Sequence, residues 1–271
     1  MGKTLQLDHP FGTSEVQSIA LAEAPLERVF AQVRWQEISA LKSDFDSCAN
    51  KLAIAVSGEY PFRTDSTEVN VLLTPDGPQQ QAGGKIVQLR SADENWRVYF
   101  TATFLTLETT KYVDLEDMIR RFSVLLVSLT ELVAIPTTSR LGFRYMNRIS
   151  DPEDFGNIDN LVRPEVNGGL HVPTDDYFSV GHSLTESLFV SENGSLLAKW
   201  ATLPPGAVLD QSIEPVQTKS WVLDLDAFHE RPTTFDTGTI LHQLKELSLI
   251  GYRFFRWSVE DKFFDRFGGA K

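Results

Sequence analysis

The sequence predicts an α+β fold, with a largely antiparallel sheet or sheets and long amphipathic helices packed on one face. Short stretches alternate apolar and polar residues with a period of two and are separated by turn residues, which is typical of hairpins and meanders. Each series of such stretches is followed by a long segment with apolar residues at helical spacing. Hairpins outnumber strand–helix–strand units, and an antiparallel sheet is therefore expected.

The first half of the chain, residues 1–150, is predicted to form strands followed by a helix. After an irregular lead-in to residue 24, alternation predicts strands over residues 29–35, 70–74, 85–90, 96–101, 103–109 and 140–149. A turn is predicted at residues 75–78 and a flexible loop at residues 79–84.

Two helices are predicted in this half. The first follows Asp44, which suits an N-cap, and stops at Gly58. The second begins at Asp114 and keeps apolar residues at i, i+3, i+4 and i+7 until Pro136 closes it.

The second half, residues 151–271, shows the same order of elements. A connection over residues 151–174 leads to predicted strands at 184–190, 196–203 and 221–227, then to a helix from about Thr237 and a short final helix from Ser258. The repeated order is compatible with a degenerate duplication of a strands-then-helix unit, although no residue-level repeat accompanies it. We expect the two halves to form one continuous structural unit.

Composition restricts the class of protein. The 271 residues are 42% hydrophobic, which fits one large domain or two fused small ones. The formal net charge of -12 disfavours a general nucleic-acid binder, because neutralising phosphates requires a basic surface. Cys48 is the only cysteine, so the expected location is a reducing cytoplasm. Neither a signal peptide nor a membrane-spanning segment is expected.

An arginine stripe is the most specific feature of the chain. In the strand at residues 140–149, the period of two places Leu141, Phe143, Tyr145 and Ile149 on one face and Arg140, Arg144 and Arg148 on the other. Three guanidinium groups on one face of an acidic chain need either carboxylates beside them or an anionic ligand.

Both interpretations of the arginine stripe are open at the level of sequence. In the first, an anion site binds a nucleotide, a nucleic-acid end or a phosphorylated metabolite through Arg34, Arg140, Arg144 and Arg148. In the second, which we favour, the stripe forms a charge ladder with carboxylates of other strands, namely Glu108, Asp224 and Asp226. Gly142 supports the ligand interpretation, since glycine permits the close approach of a bound group.

No complete catalytic or cofactor motif occurs. The Gly83-Gly84-Lys85 stretch lacks the other residues of a phosphate-binding loop. A mixed metal site of His171, Asp175, Asp176 and His182 is one interpretation, and Asp175, Asp176 and His171 could serve a metal-dependent phosphodiesterase or nuclease. Aspartates in such turn-rich segments more often cap the backbone. No catalytic residue, metal or cofactor is therefore assigned.

The C-terminal segment is unusually aromatic and basic. It supplies a predicted partner-binding set of Phe255, Arg256, Trp257, Phe263, Phe264 and Arg266. Aromatic residues and arginine dominate the energetics of protein interfaces. Packing of the rings under the sheet is the favoured alternative, and stacking on nucleic-acid bases is a further one.

Several stretches resemble a sporadically distributed, functionally uncharacterised bacterial protein family. The resemblance covers residues 24–268 and is most specific at residues 140–149 (Arg-Leu-Gly-Phe-Arg-Tyr-Met-Asn-Arg-Ile), with further support at residues 105–112, 223–226, 241–242 and 254–261. It implies a single full-length unit and no particular activity. It also implies an accessory component of mobile or defence-associated gene clusters.

These observations predict a non-catalytic cytoplasmic interaction protein, an accessory, antitoxin-like, immunity-like or sensor component of a bacterial system such as anti-phage defence. Its partner is expected to be a protein encoded nearby. The alternatives are a protein that binds an anion, a nucleotide or nucleic acid through the arginine stripe, and a metal-dependent phosphodiesterase or nuclease.

Overall fold

Nine strands form one large, largely antiparallel sheet in the computed structural model, and this confirms the predicted α+β class. The structure describes residues 7–12, 16–74, 77–175 and 177–269, without the side chains of residues 68–82. Within these ranges, no helix is both long and apolar enough to cross a bilayer.

The strands run in the order β2-β3-β4-β5-β1-β7-β10-β9-β8 across the large sheet, and β6 pairs with β11 in a small one. Their bounds are β1 Leu26–Arg34, β2 Phe62–Thr74, β3 Gly77–Arg90, β4 Trp96–Phe100, β5 Phe104–Thr109, β6 Thr137–Thr138, β7 Arg140–Ile149, β8 Ser183–Ser191, β9 Gly194–Leu203, β10 Ser220–His229 and β11 Thr233–Thr234. The helices are α1 Ser39–Ser43, α2 Phe45–Ala55, α3 Leu115–Thr130, α4 Pro152–Gly156, α5 Ile158–Leu161, α6 Thr237–Ser258 and α7 Asp261–Arg266.

The predicted loop at residues 79–84 is wrong, because these residues belong to β3. They continue a long hairpin in which Thr74 pairs with Gly77 and Phe62 with Arg90. Ladder hydrogen bonds use backbone groups, which glutamine and glycine supply as well as any other residue. Residues 75 and 76 of the predicted turn lie outside the described residues.

The helix predicted from Asp114 is confirmed. The Asp114 carboxylate accepts a hydrogen bond from the Asp117 backbone N–H at 2.8 Å. Asp44 also lies at a helix N-terminus, that of α2, but its side chain makes no capping bond. The short helices α1, α4 and α5 were not predicted, since one turn or so shows no readable helical period.

Two compact units divide the chain, and both are discontinuous in sequence. The first unit falls within residues 1–29, 143–228 and 246–271, and the second within residues 30–142 and 229–245. The strands β1 and β7 and the helix α6 therefore each contribute to both units.

In the first unit, the sheet is covered differently on its two faces. Helix α6 packs on one face, where the Tyr145 and Ser248 hydroxyls share a hydrogen bond of 2.7 Å. Gly251 of α6 lies close to the Tyr145 ring and to Leu225, because a Cβ there would come within 3.2 Å of the ring. The other face of β7 and β10 is covered by the irregular residues 204–219, in which Ile213 is buried.

In the second unit, α2 and α3 pack against β4. The rings of Phe45 in α2 and Phe100 in β4 stack at a centroid distance of 5.2 Å. The Arg121 guanidinium of α3 lies 4.4 Å from the Trp96 ring, and the buried face of α3 consists of Met118, Ile119, Phe122, Leu125, Leu126 and Leu129.

Two stretches of the chain, residues 26–130 and 140–258, repeat one order of elements. The first runs from β1 through α1 and α2 to the meander β2–β5 and then α3, and the second from β7 through α4 and α5 to the hairpin series β8–β10 and then α6. In each stretch, the last strand of the strand series lies beside the first strand of the stretch. The second stretch begins at β7, before the predicted boundary at residue 150, and the duplication of a strands-then-helix unit stays a prediction.

Candidate functional site

Arg144 is the centre of the arginine stripe in the first unit. Its Nε and Nη2 donate to the two oxygens of Asp224 at 2.7 Å each. Nη2 also donates to Asp210 at 2.9 Å. The bidentate geometry matches the planar fork of guanidinium to carboxylate. Arg144 therefore ties β7 to β10 and to the irregular segment at residues 204–219.

The electrostatics of this cluster favour its charged state. Burial opposes ionisation, yet the hydrogen bonds that Arg144 donates to Asp224 and Asp210 raise the pKa of Arg144 above its usual value. Burial likewise raises the pKa of Asp210, but the bonds from Ser212 and Arg144 outweigh it and hold that pKa at about 2. Each of these two shifts favours the charged form, so Arg144 and Asp210 are a stable ion pair.

Arg148 is held in a similar way. Its Nε donates to Glu27 at 2.8 Å and its Nη1 to the Glu214 carbonyl at 2.6 Å. The Arg148 side chain is only 6% exposed, so an anion would have to displace these partners to reach it.

Arg34 and Arg140 belong to the second unit. Arg140 donates to Gln32 at 3.4 Å and approaches Glu230 at 3.9 Å. Arg34 is exposed, and its guanidinium lies 5.8 Å from the Phe104 ring. The structure thus brings Arg144 and Arg148 into one unit and Arg34 and Arg140 into the other.

A row of alternating charges crosses four neighbouring strands of the first unit. Glu186 of β8 lies opposite Lys199 of β9, which lies opposite Asp224 of β10, and Asp224 binds Arg144 of β7. The Lys199–Glu186 distance is 2.7 Å. Opposite charges across a sheet stabilise it by about 0.2–1 kcal/mol per pair. Its Arg144–Asp224 pair is one that the charge-ladder interpretation predicted.

The three predicted carboxylates have different neighbours. Asp224 binds Arg144 of the stripe, Glu108 is buried 3.5 Å from Arg97, and Asp226 lies opposite Leu197 in the register of β9 and β10. Asp210 and Glu27 were missed. Asp210 lies in an irregular segment that has no alternation from which its direction could be read.

Most of the predicted partner-binding residues are in the interior of the first unit. Phe255, Arg256, Phe263 and Phe264 are at most 9% exposed, so their rings and charge are not presented to a partner. Trp257 is half-buried and Arg266 is exposed. Arg266 pairs with Asp154 at 2.6 Å and with Glu23 at 2.9 Å.

The N-terminal segment packs on this same aromatic and basic region. The Gln17 carbonyl accepts a hydrogen bond of 2.9 Å from Arg256. Phe11 lies 5.9 Å from Phe254, and Leu21 forms a bridge with Gly269. Core packing of the C-terminal aromatics, the favoured alternative, agrees with these contacts.

The proposed mixed site around His171 does not assemble among the described residues. Asp175 accepts hydrogen bonds from the backbone N–H groups of Tyr177 and Phe178 at 2.9 and 3.0 Å, which is a turn-capping role. His171 approaches Asp159 at 3.7 Å. Asp176 lies outside the described residues, and the described chain contains no group of three or more metal-ligating side chains.

Cys48 is in the core of the second unit. Burial raises the pKa of its thiol, and Asp44 raises it further. A thiol in such surroundings is a poor nucleophile.

The outward face of β8, defined here as Leu184, Glu186, Leu188 and Val190, was not recognised from the sequence. Leu184, Leu188 and Val190 are 56%, 57% and 75% exposed. The opposite face carries Phe189, whose ring lies 5.6 Å from Phe254 of α6. The strand lies at an edge of the sheet. Three aliphatic side chains thus form an exposed row along an edge.

Comparisons with known proteins identified no relative of the chain. No protein-family model, no curated protein and no solved structure matches the chain.

Proposed function

We propose that the chain is a non-catalytic accessory protein of the bacterial cytoplasm, and that it acts by binding another protein chain through the outward face of β8. The exposed aliphatic row of this face is the observation that carries the proposal. Contiguous exposed apolar surface marks interaction sites, whereas apolar residues scattered singly over a surface do not.

The state of the arginines supports an interaction protein over an anion-binding one. Arg144 and Arg148 are held by carboxylates and a carbonyl of the chain itself. A ligand would have to break these bonds, and removing one partner of a buried ion pair is strongly unfavourable. The accessory role follows the resemblance stated above, and the reducing compartment follows the single cysteine.

The proposal is tested by titrating the purified chain with the purified products of its neighbouring genes. We expect one of them to bind with a Kd below about 10 μM, a boundary for weak association. Leu188→Lys should raise that Kd at least tenfold, because it places a charge in the apolar row.

Leu249→Lys is the matched control. Leu249 is 43% exposed on α6, so the same substitution is made on a surface outside the outward face of β8. Equal effects of the two substitutions, or no binding by any neighbour, would contradict the proposal.

A further inference from the structure

We propose that the chain forms a symmetric dimer in which β8 pairs antiparallel with β8 of a second copy. The inference rests on the proposed function, because the dimer would join the outward faces of two β8 strands into the surface to which the partner is proposed to bind. It concerns the backbone edge of β8 that faces away from β9, as well as the outward face of the strand.

The direction of the backbone groups of β8 follows from the register of the sheet. The Phe228 carbonyl of β10 points towards β9, because a Cβ at Gly194 would lie 3.3 Å from it. Successive residues of a strand direct their N–H and C=O groups to opposite edges, and β8, β9 and β10 pair without a register shift. The odd-numbered residues of β8 therefore bond to β9.

The even-numbered residues of β8 consequently direct their backbone groups to the edge away from β9, where no other strand of the described residues pairs with β8. These residues are Leu184, Glu186, Leu188 and Val190, the same four whose side chains form the outward face. An edge strand with free N–H and C=O groups is a template for pairing with another chain.

The strand is complementary to a reversed copy of itself. Pairing its nine residues, Ser183–Ser191, over their full length places Ser187 on the two-fold axis. Leu184 then lies opposite Val190 of the second copy, and Glu186 lies opposite Leu188. Like charges directly opposite each other would destabilise a sheet, and this register avoids them.

Charge also favours self-pairing at this edge. Each chain carries a net charge of -12, which opposes association of two copies in general. On β8 the sole charged residue is Glu186, and Lys199 neutralises it at 2.7 Å. β8 contains no lysine or proline, the residues that commonly protect edges from pairing.

Two-fold pairing agrees with the usual symmetry of oligomers, in which one surface patch meets its own copy. The dimer would join the outward faces of two β8 strands into one continuous row of aliphatic side chains. A further protein could then bind to a surface formed by both copies.

A cysteine at the two-fold axis tests the register directly. In this dimer the two residues at position 187 form a non-hydrogen-bonded pair with Cα atoms about 4.5 Å apart, within the range of a disulfide. Ser187→Cys should therefore yield a covalent dimer in oxidised glutathione. Cys48 is buried and should not compete.

Thr185→Cys is the matched control, because residue 185 is on the same face of β8 and is also half-buried. In the proposed register, the two residues 185 of the dimer lie four positions apart along the paired strands, a distance of roughly 13 Å. On a non-reducing gel, the Thr185→Cys chain should therefore run as a monomer and the Ser187→Cys chain as a dimer. A disulfide at 185 and not at 187 overturns the register.

Noncovalent association is measured on the unmodified chain by light scattering. We expect a species of twice the chain mass of 30.4 kDa. Leu188→Pro removes one outward N–H and keeps the bonds to β9, so it should weaken the dimer at least tenfold. Leu188→Ala keeps that N–H and should weaken it less.

Hydrogen exchange of the unmodified chain keeps the test decisive if Leu188→Pro does not fold. The amides of the even-numbered residues of β8 should gain protection as concentration rises. A monomer at every concentration, with rapid exchange at these amides and no disulfide at 187, overturns the inference. The chain could be such a monomer while Leu188→Lys still weakens its binding to the neighbour-encoded partner. That result would overturn the dimer and support the proposed function.

Discussion

At the scale of single residues, Arg144 shows how one guanidinium connects three segments of the first unit. Its Asp224 partner is only 3% exposed in its side chain, so the pair is desolvated on the carboxylate side. A buried carboxylate without its partner is much less stable than an exposed one.

We therefore expect Arg144→Ala to lower the free energy of unfolding by about 3–5 kcal/mol. Arg120→Ala is the control, because the Arg120 side chain is 52% exposed in its pairs with Glu59 and Asp117, and exposed pairs contribute about 0–1 kcal/mol. Urea denaturation measures both changes. Similar losses for the two variants would show that Asp224 is not a buried partner.

Asp210 gives the first unit a defined response to acid. Its pKa is about 2 in the folded chain against an ordinary value of 3.8, so the folded state binds its proton less readily than the unfolded state. The stabilisation is complete above the ordinary value and is lost as pH falls towards 2.

Asp210→Asn should remove this component, which amounts to at most about 2 kcal/mol. The free energy of unfolding of the variant should fall less steeply than that of the unmodified chain between pH 3.8 and about 2. Denaturation at a series of pH values measures the two slopes. Parallel slopes would mean that Asp210 titrates normally in the folded chain.

At the scale of elements, the two aspartates at helix N-termini differ in a way that can be measured. Asp114 caps α3 through its side chain, whereas Asp44 at the start of α2 does not. An N-cap side chain that bonds a helical N–H contributes about 0.5–2 kcal/mol.

Asp114→Ala should therefore destabilise the chain by about 1 kcal/mol, and Asp44→Ala by clearly less. Thermal unfolding of both variants under the same conditions makes the comparison. A larger effect at Asp44 would contradict the assigned caps.

Periodicity in the sequence predicted both α3 and β7. The helix α3 was recognised because burial on one side imposes a regular helical period, and the strand β7 because apolar and charged residues alternate along it. The same parity gave the correct face for Arg144 and for Asp224. It could not predict the direction of the Asp210 side chain, since an irregular segment has no alternation of faces.

On β8, the alternation of residue types predicts the wrong buried face. On β8 the aliphatic Leu184 and Leu188 alternate with Thr185 and Ser187, a pattern that predicts the aliphatic residues to be buried. The structure turns the hydroxyl residues towards the helix-covered face instead, because the hairpin with β9 fixes the register. This face of β9 supplies Leu196 and Ala198, both buried.

At the scale of the whole molecule, the two units are interleaved along the chain. The first unit takes residues 1–29 and 143–150 from the first sequence half and residues 151–228 and 246–271 from the second. A cut between residues 150 and 151 would leave neither half with a complete unit.

We expect residues 1–150 and 151–271, produced separately, to lack cooperative unfolding, and co-expression to restore it. Circular dichroism during thermal unfolding measures cooperativity, and co-purification measures reassembly. A cooperative transition of residues 151–271 alone would show that this half carries its own complete core.

The contact between the beginning and the end of the described chain has a consequence for synthesis on the ribosome. Leu21 pairs with Gly269, and the Ile19 N–H donates to the Tyr252 hydroxyl at 2.8 Å. Translation at about 5–20 residues per second delivers the later partner roughly 12–50 s after the earlier one. Throughout that interval residues 17–21 lack the C-terminal partners that they contact in the folded chain, so this segment completes its packing only when elongation is nearly over.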